Sequence, residues 1–288
     1  MDKTVKIKLI RDNGAEFLID NTDWMIPSDG LEGFATVETD ISTVQSLLGD
    51  GSIITAVRLP HKARTVKCEV SDAKYNEQLR AKAREFFNAH SRYKMYITYM
   101  GVTRWCEGNL NKFTLTEGNI YRKVAMSFTI LSENPYLKSY DDFGKDIASI
   151  TPMAAFPYYA NPAWGGALTG YFNFGADVQV FNDGDVSTDA LIKIKARGIV
   201  EKPFVTINDN MIKLNETLEE GDELIIDMAH KPPQVTLNSV NAIGLCDKHS
   251  AFTSMGLETG SNIIGYGAAS GSTLMSVSVY YNKLYASI

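Results

Sequence analysis

A chain of 288 residues that is 44% hydrophobic and 22% charged has the composition of a globular protein, long enough for two domains of ordinary size. No apolar run approaches the ~18–20 residues of a membrane-crossing helix, and the opening MDKTVKIKLIRDNG lacks the apolar core of a signal peptide, so a cytoplasmic site of synthesis and assembly is expected. The formal net charge of −6 is unevenly spread: residues 1–140 hold 19 Lys/Arg against 17 Asp/Glu, and residues 141–288 hold 9 against 17, which supports a boundary near residue 140 and argues against nucleic acid as a partner, since phosphates need clustered Lys and Arg.

VKIKLI (Val5–Ile10) alternates apolar and polar residues and reads as a half-buried strand. SIITAVRLP (Ser52–Pro60), behind a GDGS turn, and RTVKCEV (Arg64–Val70) are further strands. YNEQLRAKAREFFN (Tyr75–Asn88) places Tyr75, Leu79, Ala83 and Phe86/Phe87 on one stripe of a helix, with Ser71 or Asp72 as its cap and Lys82 and Arg84 late, as the helix dipole prefers. The period then switches to two, with Tyr93, Met95, Ile97 and Tyr99 on one face. KFTLTEGNIYRKVAMSFTIL reads as a hairpin turning at Gly118-Asn119, whose second arm faces Val124, Met126, Phe128 and Ile130 inward. That arm stops at Asn134-Pro135, because proline brings no N–H to a ladder and pushes its predecessor out of helical geometry.

Residues 141–175 show little periodicity but many Pro, Gly and aromatic residues, and read as a connecting segment. From residue 176 onward short strands alternate with turn signals every 8–12 residues, the pattern of a β-sandwich. The last of them is strict: Met275, Val277, Val279 and Tyr281 on one face, Ser276, Ser278 and Tyr280 on the other.

Little in the chain points to chemistry. Cys68, Cys106 and Cys246 are odd in number and widely spaced, with no CxxC, and read as buried free thiols of a reducing compartment. His61, His90, His230 and His249 are scattered without a metal-binding spacing. GYGAASG (Gly265–Gly271) has no lysine behind it and leads into a strand, so it lacks the helix N-terminus that a phosphate loop requires. The carboxylates of Asn215–Asp227 do not have an EF-hand spacing, and Gly221-Asp222 reads as a turn rather than a calcium site. No pair of carboxylates, nucleophile or metal set marks catalysis, so no catalytic, cofactor-binding or metal-binding residues are expected. Exposed aromatics on a sandwich can stack on sugars, and Trp164, Tyr171 and Tyr266 are the candidates, beside Tyr158 and Tyr159; packing is the more ordinary use of such side chains.

Taken end to end, four stretches resemble the distal tail (Dit) family of siphophage-type tails: GDGSIITAVRLPHKARTVKCEV (Gly49–Val70) as a strand pair, YNEQLRAKAREFFNAH with YKMYITYMGVTRWCEGNL as a helix-then-strand unit, VAMSFTILSENPYLKS (Val124–Ser139) as a boundary strand, and Val180–Gly198 with Met211–Asn215 and Gly221–Asp227 as the second domain. LMSVSVYYNKLYASI is similar to the family's closing strand. The resemblance implies a mainly β fold: an N-terminal β-sandwich with one α-helix and a hairpin over residues 1–140, and a galectin-like or carbohydrate-module-like β-sandwich over 176–273. Residues 274–288 are expected as a C-terminal strand returning to the first domain. It implies further a structural hub of a phage tail tip or baseplate, a homohexameric ring joining the tail tube protein to tail-tip hub, tail-associated lysin and receptor-binding proteins, with no cofactor, nucleic acid or membrane insertion, assembled in the bacterial host cytoplasm and located at the virion tail tip. The alternative is a sugar- or cell-wall-binding β-sandwich module; an enzyme is the weakest reading.

Overall fold

The computed structural model describes residues 5–45, 50–72, 75–116, 123–140, 143–148, 150–152, 170–172 and 177–288. The fold is mainly β, with a single α-helix among the described residues. The chain divides into two compact units: Met1–Tyr140 together with Leu284–Ile288, and Asp141–Lys283.

The first unit is built on one antiparallel sheet that runs, in spatial order, through Glu16–Ile19, Lys6–Arg11, Arg92–Tyr99, Val102–Leu115, Ala125–Ser132, Lys62–Val70 and Trp24–Met25. The alternation read from the sequence sets which face is buried. Ile7 and Leu9, Tyr93, Met95 and Ile97, and Met126, Phe128 and Ile130 are all at most 2% exposed. They form one core with Val66, Trp24 and the helix face.

The helix spans Asn76–Phe86 and buries Leu79, Ala83 and Phe86. It begins later than the sequence suggests: its N-cap position is held by Tyr75, so neither Ser71 nor Asp72 stands there. At its other end Arg11 donates from Nη1 to the carbonyl oxygens of Glu85 and Phe86, both at 3.1 Å, which satisfies carbonyls that a helix terminus leaves unpaired. Phe87 follows and stacks on Phe113 with centroids 4.5 Å apart. The expected hairpin is present in its arms, Val102–Leu115 pairing with Ala125–Ser132; its turn at Gly118-Asn119 lies outside the described residues.

The break at Asn134-Pro135 is an offset inside this unit and not a reversal, since Ala125–Ser132 and Leu137–Ser139 both run antiparallel to Val102–Leu115. Asn134 Oδ1 accepts the Tyr136 N–H at 2.9 Å, and the chain re-enters the sheet as Leu137–Ser139, between Val102–Leu115 and the pair Leu284–Tyr285. Leu137 is 0% exposed.

The second unit is a sandwich. One sheet orders Phe143–Ala148, Met275–Tyr281, Thr188–Ala196, Glu223–Asp227, Gln234–Leu237 and Val240–Asn241; the other orders Val178–Asn182, Gly260–Gly267, Phe204–Ile207 and Asn210–Lys213. Their inner faces share one core that includes Ile192, Ile194, Val205, Ile207, Leu224, Ile226, Ile264, Val277 and Val279, as expected for two sheets packed face to face.

The sequence-drawn boundaries shift in two places. Phe143–Ala148, expected within a connecting segment, is a strand of the second unit, paired with Met275–Tyr281. Met275–Tyr281 itself lies inside that sheet, flanked by Phe143–Ala148 and Thr188–Ala196, so the segment that joins the first unit is Leu284–Ile288 and not the whole of Leu274–Ile288. The cause is burial: Met275, Val277 and Val279 are 0–3% exposed and complete the second core.

Candidate functional site

The most distinctive surface of the first unit is a hairpin that stands apart from the main sheet. Asp40–Gln45 and Ser52–Arg58 pair only with each other, as a separate two-stranded sheet. The sequence reading finds Ser52–Pro60 but not Asp40–Gln45, and it pairs Ser52–Pro60 with the strand that follows; the partner is instead the strand that precedes. The signal was there: DISTVQ is β-branched and lies across a Gly-Asp-Gly turn from SIITAV.

The register decides what the hairpin presents. Ile41 faces Val57 and Thr43 faces Ile54 on one side; Ser42 faces Ala56 and Val44 faces Ile53 on the other. A bulge between Ser42 and Thr43 leaves Thr55 as the extra residue, and its hydroxyl donates to the Ser42 carbonyl at 3.1 Å. Ile41, Val44, Ile53, Ile54 and Val57 are 53–66% exposed. Both faces are therefore apolar, and both are open. An isolated two-stranded hairpin is marginal in water, and unpaired strand edges are templates for association.

At the root of the hairpin lies a cavity of ≈ 440 Å³, walled by Val37, Leu59, His61, Tyr136 and Ala286. Lys62 lies on its rim and donates from Nζ to the Thr36 carbonyl. Burial holds the Lys62 ammonium below its ordinary pKa, and the neighbouring Arg64 charge adds to that.

Of the sugar-stacking candidates singled out from the sequence, only Tyr266 has a described side-chain setting. Trp164 lies outside the described residues, and Tyr171 is placed only as the middle of the short strand Gly170–Phe172. Tyr266 is half-buried in Gly260–Gly267 and packs against the second core, opposite Val205. The described thiols are free: Cys68 and Cys106 are buried and Cys246 half-buried. Burial pushes the Cys68 thiol up to about 12 and the Cys246 thiol up to about 11, and a thiol so raised is a poor nucleophile. Among the described residues no three His, Cys, Asp or Glu side chains are grouped to hold a metal.

The acidic Asn215–Asp227 stretch is a turn held by its own side chains. Asp222 Oδ2 accepts the Glu219 N–H at 2.8 Å and its Oδ1 accepts from Asn238 Nδ2 at 2.8 Å, with Gly221 at φ +94°.

Comparison with known proteins places this architecture. Residues 183–285 match the family model of the siphovirus-type tail component, C-terminal domain. Among curated proteins no sequence match is found. The chain is similar in structure to SPP1 Dit (gp 19.1), described as a paradigm of the hub adsorption apparatus in phages that infect Gram-positive bacteria, at 10% identity and a TM-score of 0.67, over 96% of this chain and 98% of that one. It is also similar to a chain of the phage P2 baseplate in its activated conformation with Ca, at 14% identity and a TM-score of 0.51 over 100% of both chains. The same baseplate with Sr gives 13% identity and a TM-score of 0.52 over 99% of both. The resemblance read from the sequence agrees with these matches: residues 183–285 match the siphovirus-type tail component C-terminal domain, and the chain shares the fold of SPP1 Dit over 96% of its length.

Proposed function

We propose that this protein is a structural hub of a phage or prophage tail tip or baseplate, six copies of which close into a ring joining the tail tube to tail-tip and host-adhesion proteins. The observation that carries this reading is the fold match to the SPP1 hub protein over 96% of this chain, reinforced by the tail-component domain at residues 183–285. The role is architectural, without catalysis, and the site of action is the virion tail tip, after assembly in the cytoplasm of the bacterial host.

Physical features support a repeating assembly. The first 140 residues are close to charge balance, so copies placed side by side repel little, whereas the acidic second half suits an outward position. Head-to-tail contacts that close into a ring cover open strand edges without leaving a free end. The half-burial of Tyr266 against the second core weighs against the alternative of a free-standing sugar-binding module.

Light scattering on the purified chain tests the reading. The expected mass is about six times the 31.8 kDa of the monomer, with rings visible in negative stain. A protein that stays monomeric at high concentration, and shifts instead on a glycan array, would remove the hub reading and favour the sugar-binding one.

A further inference from the structure

We infer that the first unit binds a small inorganic anion of the halide class in its core, held by Arg64 and Ser132 beside Cys106, where the chain is offset at Asn134-Pro135. The site does not depend on the ring reading above.

Three strands bring these side chains to one place. Arg64 lies on Lys62–Val70, Ser132 ends Ala125–Ser132, and Cys106 lies on Val102–Leu115. The register sets Arg64 opposite Ile130 and Lys62 opposite Ser132. Arg64 and Ser132 are therefore diagonal neighbours, within reach of a long side chain. Both are 0% exposed, and Cys106 is buried with them. The guanidinium extends to the offset itself, where Nη2 donates to the Pro135 carbonyl at 2.5 Å.

The remaining donors point to a ligand. Arg64 Nε and Nη1 and Ser132 Oγ are buried without a hydrogen-bond partner among the described residues. A buried unpaired donor is costly, and a buried unpaired cation more so. Both side chains abut the Cys106 thiol, which is only a weak acceptor. Burial raises the pKa of that thiol, so it stays protonated and cancels no charge.

Charge selects the class of ligand. Among the described residues, the Cys106 thiol is the one group that counters the burial of Arg64. Nearby carboxylates are engaged elsewhere: Glu107 accepts from Lys138 Nζ at 3.3 Å, on the side of its strand opposite to Cys106, and Glu38 acts on Lys62. Lys62 adds a second positive charge beside Arg64. A water molecule would take up N–H groups and leave the positive charge uncompensated, whereas an anion does both. Ile130 and Leu137, which belong to the same core, are 0% exposed, and so close-packed an interior admits a monatomic ion better than a phosphorylated metabolite. Lys62 and Pro135 both wall the ≈ 440 Å³ cavity, which gives such an ion its approach from solvent.

Unfolding of the full chain in urea tests the site, with sodium chloride exchanged for sodium gluconate at constant ionic strength. The folding equilibrium constant of the wild type should rise about tenfold as chloride reaches ~10 times its dissociation constant. Arg64→Met keeps the bulk and removes the donors, so its stability should not respond to chloride, and Ser132→Ala should respond more weakly than the wild type. If the wild type and Arg64→Met respond alike, chloride acts on surface charges and the inference is wrong. A wild type that ignores chloride means that the spare donors hold water or a Cys106 thiolate, which also overturns it. A full response in Ser132→Ala puts the ion elsewhere and removes the assigned site. Should Arg64→Met fail to fold, crystals of the wild type grown in sodium bromide decide: an anomalous peak touching Arg64 and Ser132 is expected, and peaks confined to the surface count against the site.

Discussion

At the scale of single residues, Arg64 is the least expected side chain in the first core. It is 0% exposed, and its Nη2 donates to the Pro135 carbonyl at 2.5 Å. Its Nε and Nη1 have no hydrogen-bond partner. Burial lowers its pKa, opposed by the charge interaction and hydrogen bond with the Cys106 thiol. A buried cation without a facing carboxylate costs desolvation that one carbonyl does not repay. Arg64→Met should therefore leave the protein as stable as before or more stable by about 1–2 kcal/mol, read by urea unfolding. Arg64→Ala should cost about 2–4 kcal/mol, because it opens a cavity. In the second unit the pH response follows from Asp222 and Asp183. Hydrogen bonds from Asn238 and the Glu219 N–H hold Asp222 below the ordinary carboxylate value, and a bond from Lys283 does the same for Asp183. A depressed folded-state pKa gives stability that is complete above the unfolded value of 3.8 and is lost as pH falls from there through the lower folded value. Acid unfolding of Asp183→Asn compared with wild type should show a smaller loss below about pH 4, with the change confined to the second unit in hydrogen exchange. Neither Arg64 nor the Asp222 turn partners were legible in the sequence, because each depends on residues far apart in it (Pro135 and Asn238).

At the scale of elements, strands announced themselves and edges did not. The strict alternations at Val5–Ile10, Tyr93–Tyr99, Val124–Ile130 and Met275–Tyr281 fixed strand type and buried face from the sequence alone, because a period of two has only one physical reading. The helix stripe was equally plain, but its start was not: Tyr75 holds the N-cap position without a side-chain cap hydrogen bond, several residues after Ser71 and Asp72. The hairpin partner Asp40–Gln45 was missed for a related reason: with both faces exposed, it shows no buried-face rhythm. Close approach between strands is a further thing that no local pattern encodes. A Cβ at Gly108 would lie 2.2 Å from the Leu131 carbonyl oxygen, beside the irregularity between Thr129 and Ile130. Gly108→Ala forces those backbones apart and should cost about 2–3 kcal/mol, seen as a lower denaturation midpoint with an unchanged m-value.

At the scale of the molecule, the charge step near residue 140 and the switch from mixed to all-β patterning marked the division into two units, and the structure places the break after Tyr140. What the sequence did not show is how the chain is divided at its far side. Periodicity identifies Met275–Tyr281 as a strand but not whose core it serves; three-dimensional pairing assigns it to the second unit and only Leu284–Ile288 to the first. The latter segment pairs Tyr285 with Leu137, sets the Tyr285 ring 3.8 Å from the Arg104 guanidinium carbon, and brings the Ser287 carbonyl to Arg104 Nη1. A chain ending at Lys283 should keep a folded second unit and lose about 2–4 kcal/mol from the first, given the partial uncovering of Leu137 and the loss of a cation–π contact. Hydrogen exchange that speeds up in Val102–Leu115 and Leu137–Ser139, but not in Thr188–Ala196, is the expected signature.

That pairing also sets a timetable for biosynthesis. The partner of Leu137 is translated only after the whole of Asp141–Lys283, a delay of roughly 7–30 s at elongation rates of ~5–20 residues per second. The first unit thus emerges from the ribosome with Leu137–Ser139 lacking one neighbour, and acquires it only once the second unit has been made. An interrupted translation product would carry the exposed aliphatic hairpin on an unsealed first unit, so completion of the first unit reports that the second has been made.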